Sequence, residues 1–249
     1  SEKSNSISSS DITAIIEDSQ GVLWVGTSGG LNRFDEATDS FTYFQHQEHQ
    51  IDSLSHNVVN AITEDKQGNL WVGTWTGGVN RFNSATEQFS LFSHQAINSN
   101  SLSGNDVRSM VDDRQGNFWI GTISGLNRFN PATERFSHYR PQVADNRSSN
   151  DDYVLALMED RQGNIWVGTS DGLSCFNPIT EHFTYYRHQA GNLNSLSNNE
   201  VRAIIEDREG NLWVGTLGGG LNHFNPKTNQ FTHYRHKAND ENSLSDDDI

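Results

Sequence analysis

With Cys175 as its only cysteine, the chain of 249 residues can form no internal disulfide, and its redox compartment stays open. It lacks an apolar run long enough to span a bilayer and lacks a signal-type start. Positive charge is scarce, with 17 Lys and Arg against 32 Asp and Glu and a formal net charge of -15. Binding phosphate backbones needs a basic surface, so nucleic acid is excluded as a partner. The same balance argues against docking on anionic membranes. Even apolar residues are few: Leu, Ile, Val and Phe number 56, about 22% of the chain, near the border where a polar sequence fails to fold.

What is present is a repeated sentence. Trp24, Trp71, Trp119, Trp166 and Trp213 fall 47, 48, 47 and 47 residues apart. Around each runs E/D-D-x-x-G-N-L-W-V-G-T, then G-L-N-R-F-N, then F-T-x-Y, with local substitutions. Of the 13 Phe, all but Phe44, Phe92 and Phe118 occupy two recurring slots, 34/82/129/176/224 and 41/89/136/183/231. A disordered chain keeps no such register, so the few apolar residues form a core distributed among the copies. Periods of this length made of short strand-like runs mark propellers or arrays.

Alternation and turn chemistry place four strands in each copy. In the last copy these are Val201–Ile205, Leu212–Thr216, Leu221–Phe224 and Phe231–Tyr234, here named strands A to D. Between A and B, Asp207 opens a turn by bonding its own backbone and Gly210 accepts positive φ. Between C and D, Pro226 fixes φ. One small sheet buries too little to stand alone, so neighbours must stack face to face. The sequence therefore predicts an all-β fold: a single β-propeller domain over 1–249 with five four-stranded antiparallel blades of about 47 residues. The blades span about 6–52, 53–100, 101–147, 148–194 and 195–242. Residues 243–249 restate 6–12, and thus begin a sixth repeat or add a seam strand. The chain starts and stops inside repeat text, as a piece excised from a longer array does; a ring completed by two or more copies is the other outcome left open.

The run Asp160-Arg161-Gln162-Gly163-Asn164-Ile165-Trp166-Val167-Gly168-Thr169, followed by Asp171-Gly172-Leu173, and its four counterparts resemble the two-component regulator propeller repeat. The resemblance covers essentially the whole chain. It implies the periplasmic or extracytoplasmic sensor half of a bacterial receptor, membrane-anchored and dimeric in its parent protein. In that family an immunoglobulin-like domain, a membrane helix and a histidine kinase or diguanylate cyclase follow, and some members resemble oligosaccharide receptors. This chain departs in having five copies and none of the later domains.

Chain direction puts the A–B and C–D turns on one face, where they repeat almost unchanged. The B–C and D–A loops share the opposite face, where the long segments Gln45 to Ser53 and Arg140 to Asp152 differ in content. Variable loops on a rigid scaffold are where recognition is built. Trp75 replaces Ser28, Ile123, Ser170 and Leu217 at one B–C slot, an aromatic able to stack on a sugar ring or to pack over its own loop. Asp171 in the fourth copy offers a hydroxyl contact or a solvated turn. The slot after the recurring Val or Ile of strand A holds Thr13, Asn60, Arg108, Leu155 and Arg202. Arg108 and Arg202 suit a carboxylate or charged sugar, or pair with Asp106 and Glu200. Tyr153, unique to the fourth D–A segment, completes the set.

Catalytic and metal constellations are absent from the sequence. The ten His are scattered, with no zinc spacing, and no Ser has nucleophile-elbow context. The E-D-x-x-G-N turn lacks the oxygen spacing of a calcium loop, and no helix follows the Gly-Gly loops to make a phosphate site. No cofactor is expected. The expectation is a non-catalytic module that binds a small molecule or oligosaccharide on the B–C/D–A face. The alternatives are a protein-interaction scaffold and, since similar repeats occur in lyases that open cyclic peptide antibiotics, a lyase-like enzyme using a His and Glu with magnesium.

Overall fold

Each copy of the repeat forms an antiparallel sheet whose strands follow chain order. In the computed structural model, which describes residues 2–140 and 153–249, the first sheet holds β1 (Glu2–Ser4), β2 (Ile12–Glu17), β3 (Leu23–Thr27), β4 (Gly30–Asp35) and β5 (Ser40–Phe44). The second holds β6 (Val59–Glu64), β7 (Leu70–Thr74), β8 (Gly78–Asn83) and β9 (Gln88–Phe92), and the third β10 (Val107–Asp112), β11 (Phe118–Thr122), β12 (Gly125–Asn130) and β13 (Arg135–Tyr139). The fourth comprises β14 (Val154–Glu159), β15 (Ile165–Thr169), β16 (Gly172–Asn177) and β17 (His182–Tyr186), and the fifth β18 (Val201–Glu206), β19 (Leu212–Thr216), β20 (Gly220–Asn225) and β21 (Gln230–Tyr234). The described residues contain no helix, and the fold is that of propeller blades.

One sheet differs from expectation. Residues Glu2–Ser4 pair antiparallel with β5, so the first blade has five strands and its outermost β5 gains a hydrogen-bonded neighbour. An edge strand otherwise presents unpaired backbone groups.

The hairpins rest on the turn aspartate. Asp18 Oδ1 accepts from the backbone N of Gln20 and Val22, while Oδ2 accepts from Trp24 Nε1 at 2.8 Å. Asp65, Asp113 and Asp160 repeat the set, holding the indoles of Trp71, Trp119 and Trp166 at 2.7, 2.7 and 2.8 Å. Between the third and fourth strands, Asn83, Asn130, Asn177 and Asn225 each accept from the backbone N two and three residues on, as Asp35 does in the first blade.

By their contacts the strands divide into two units, Ser1–Tyr139 with the first three sheets and Arg140–Ile249 with the last two. Within the first unit Trp24, Leu31 and Phe44 of one blade pack on Leu54, Val59, Ile62, Leu70, Val72, Phe82 and Phe89 of the next. The second interface repeats the scheme, Trp71, Val79 and Phe92 meeting Leu102, Val107, Met110, Phe118 and their neighbours. In the second unit Trp166, Leu173 and Tyr186 meet Leu196, Val201, Ile204, Leu212 and Phe224. The glycine of W-V-G-T is the socket in this packing. A Cβ on Gly73 would lie 2.5 Å from Val107 Cγ1, and one on Gly168 2.6 Å from Val201 Cγ1.

The C-terminal residues lie on the fifth blade in the manner of such a neighbour. His236 bridges to Leu244, Gly220 N donates to Asp247 O at 2.8 Å, and Ile249 Cγ2 fills the Gly215 socket. The equivalent bond inside the first unit runs from Gly78 N to Asn105 O at 2.8 Å.

Candidate functional site

Every first strand of a blade carries an irregularity at its loop end. The register shifts between Ile12 and Ala14, Val59 and Ala61, Val107 and Ser109, Val154 and Ala156, and Val201 and Ala203. The residues bypassed are Thr13, Asn60, Arg108, Leu155 and Arg202. A β-bulge leaves its extra residue out of the ladder and re-aims the side chain, which is why bulges gather beside functional sites. The slot picked from the sequence is therefore a bulge in all five blades.

The loops beyond these bulges are held from below. Asn32, Asn80, Asn127 and Asn222, all fully buried, accept from the backbone N of Ser8, Ser55, Ser103 and Ser197 at 2.8 to 3.0 Å. Their amides donate in turn to Val25 O, Val72 O, Ile120 O and Val214 O. Ser174 takes this slot in the fourth blade. Sequence reasoning passed over these asparagines as part of G-L-N-R-F, although a polar residue recurring at an interior strand position is the signal for a buried clamp. A second clamp is histidine: His46, His94, His188 and His236 each place Nδ1 2.8 Å from the carbonyl of Leu54, Leu102, Leu196 and Leu244.

In the first unit the structure brings Trp75, Asn60 and Arg108 to the loop ends of neighbouring blades. Trp75 is 48% exposed, its indole edge-on to the His56 ring at 6.1 Å, and its backbone N donates to Val58 O. Asn60 Nδ2 donates to Val107 O at 2.9 Å, tying the second blade to the third beside Arg108, as the Thr13 hydroxyl does to Val59 O. Arg108 Nη2 donates to Asp106 Oδ2 at 2.9 Å, and its Nε lies 2.8 Å from Oδ1 without the alignment of a hydrogen bond.

The second unit holds Tyr153, Asp171 and Arg202. Tyr153 is 38% exposed and its carbonyl accepts from Ser170 N, next to Asp171. Asp171 is in an ion pair with Arg187. Arg202 donates from Nε and Nη2 to Glu200 Oε1, at 3.0 and 2.6 Å. Both bulge arginines are thus engaged by acids two residues upstream. The D–A segment expected from Arg140 to Asp152 lies, beyond Arg140, outside the described residues. Among the described residues no three of His, Cys, Asp and Glu gather as a metal site.

Away from these loop residues, Asp112 in the third blade and Cys175 and Tyr186 in the fourth carry shifted ionisations. Burial raises the Asp112 carboxyl against the lowering influence of Lys66. Burial, with Asp160 adding to it, pushes the Cys175 thiol up to about 12, so it is a neutral packing group. Burial likewise raises the Tyr186 phenol.

Sheets of this kind, built on an Asp–Trp hairpin and a glycine socket, define a repeat propeller. Residues 6–29, 53–76, 101–124, 148–171 and 195–218 each match the family model described as two component regulator propeller, and the chain belongs to that family. The extracellular domain of a protein described as a hybrid two component system of B. thetaiotaomicron is 27% identical, with a TM-score of 0.77 over 92% of this chain and 31% of that one. A second extracellular domain of that organism, from a one component system, is 22% identical, with a TM-score of 0.58 over 94% of this chain and 40% of that one. Virginiamycin B lyase of Staphylococcus aureus shares the fold at 10% identity, with a TM-score of 0.66 over 91% and 70% of the two chains. A search of curated proteins gives no match. The chain spans about a third of the length of the first of these relatives.

Proposed function

We propose that this chain is the ligand-sensing propeller module of an extracytoplasmic bacterial signal-transduction receptor, and that it recognises a small molecule or oligosaccharide on the B–C/D–A loop face without catalysing a reaction. Membership of the family and likeness to the extracellular domain of a two component system support the receptor role. The observation that carries the choice of face is the half-exposed indole of Trp75, on a loop whose backbone bonds Val58 O just ahead of the Asn60 bulge. An indole offers a flat apolar platform to a sugar ring, and Arg108 adds a forked donor whose pairing with Asp106 a ligand carboxylate or hydroxyl would share. A ligand that prefers one state of the attached, membrane-anchored receptor shifts its population by the difference in affinity.

Thermal unfolding against a panel of oligosaccharides, amino acids and nucleotides tests this. A ligand at a hundred times its Kd adds about 2.7 kcal/mol of stability. The expected result is a specific shift that Trp75→Ala and Arg108→Ala remove. A panel without any shift, or a shift that survives both substitutions, would overturn it.

A further inference from the structure

In the first three blades an arginine of the third strand lies over a pair of aromatic rings. Arg33 Cζ is 5.8 Å from the Trp24 ring and 5.5 Å from Phe44, Arg81 is 5.6 and 5.4 Å from Trp71 and Phe92, and Arg128 is 5.8 and 5.6 Å from Trp119 and Tyr139. The guanidinium is held from the next blade as well. Arg33 donates to Glu87 at 2.7 Å and Arg81 to Glu134 at 3.2 Å, both glutamates standing at one slot of the C–D turn.

Between the fourth and fifth blades both members of this pair are replaced. Cys175 stands opposite Trp166 in the strand register, where Arg33 stands opposite Trp24. Asn229 takes the glutamate slot on the following turn. The aromatic platform is nonetheless retained: Trp166 and Tyr186 are 5.7 Å apart and near parallel, inside the range of 5.4 to 6.2 Å that the covered pairs span. Where the guanidinium would lie there is an open pocket of about 360 Å³, walled by Trp166, Tyr186 and Cys175 with Asp160, Glu206 and Lys227 around them. In the fifth blade the corresponding His223 ring covers Trp213 at 4.5 Å, so the slot is filled there by a different side chain.

The geometry points to a binding site for a guanidinium group, carried by a small arginine-class amine or by an arginine side chain of a partner, packed on half-buried Tyr186 and the small part of Trp166 left exposed in the pocket between the fourth and fifth blades. A planar, weakly hydrated cation fits a platform that the same repeat covers with its own guanidinium three times over. The wall carries the carboxylates of Asp160 and Glu206 and the ammonium of Lys227, with Arg161 paired to Glu206 beside it. Asp160 accepts from Gln162 N, Asn164 and the Trp166 indole, and Glu206 Oε2 from Arg161 N, so the rings supply the contact and the carboxylates a weak attractive field.

The test is a titration monitored by the Trp166 indole N–H resonance, with agmatine, an arginine-containing tripeptide amide and, as controls, cadaverine and the matching lysine tripeptide. Agmatine or the arginine peptide should shift that resonance saturably, with the amine controls about tenfold weaker. Saturation by agmatine identifies a small-molecule site, and saturation by the peptide alone identifies a polypeptide partner. Cys175→Arg supplies the repeat's own guanidinium and should abolish binding. Cys175→Ser keeps the pocket and should retain it, as should Trp75→Ala, which separates this site from the loop face. Absence of saturable shifts with both guanidinium probes, equal binding of the amines, or undiminished binding in a folded Cys175→Arg protein would overturn the proposal.

Discussion

One oxygen of the turn aspartate closes the turn and the other anchors the tryptophan, so a single carboxylate couples local chain reversal to the core. Asp113 is 2% exposed, with Oδ1 accepting from Gln115 N and Asn117 N and Oδ2 from Trp119 Nε1 and Asn117 Nδ2. Asp113→Ala strands an indole N–H on a ring that is fully buried, and should cost about 3 kcal/mol in urea unfolding. Asp207 is the contrasting case. Its Oδ2 meets His223 Nε2 at 3.3 Å, and among the described residues Trp213 has no counterpart of that indole bond, so Asp207→Ala should cost less. Burial works to raise the Asp207 carboxyl, and bonds from Asn211, His223 and Glu209 outweigh it and hold the group below its ordinary 3.8. A lowered carboxylate stabilises the fold above that pH and loses the contribution as pH falls through and below it.

Between elements the decisive residue is the one with least side chain. The glycine of W-V-G-T gives room to a valine of the next blade, and overpacking such a contact costs about 1 to 3 kcal/mol. Gly73→Ala drives a methyl to 2.5 Å from buried Val107 and should fall at the upper end of that range. Gly116→Ala, at a turn with φ +82 and nothing within 4 Å, carries only the left-handed backbone penalty of about 1 kcal/mol. Thermal midpoints of the two variants check the order, and a Gly73→Ala protein as stable as Gly116→Ala would contradict the socket. The strands are legible in the sequence because alternation and Asp/Gly turns are local signals: Leu212–Thr216 is found as expected, and the other three of that copy gain only one residue or two at their ends. The bulge at Asn60 and Arg108 is not legible, since it depends on how one strand pairs with another. The clamp role of Asn80 is hidden for the same reason, its partner Ser55 lying 25 residues away.

Across the whole molecule, 32 acidic residues against 17 basic ones make self-repulsion a uniform term opposing the folded state. Raising salt from about 0.01 M, where the screening length is about 30 Å, to about 0.15 M, where it is about 8 Å, should therefore raise the thermal midpoint. A midpoint that falls would mean that ion pairs such as Arg33–Glu87 outweigh the net charge. Family and fold are legible at this scale because five copies restate one pattern. The ligand is not, because the residues proposed to recognise it, such as Trp75 and Cys175, are departures from the pattern, each seen once. The bonds themselves keep fixed spans along the chain: six residues from Asp65 to Trp71, and 46, 47 and 47 across blades from Thr13 to Val59, Asn60 to Val107 and Arg161 to Arg208. A gene duplication that inserts or removes one whole period leaves every such span intact. Blade number can thus change in a single genetic step, with each new junction inheriting its contacts ready-made and free to drift, as the junction holding Cys175 and Asn229 has done.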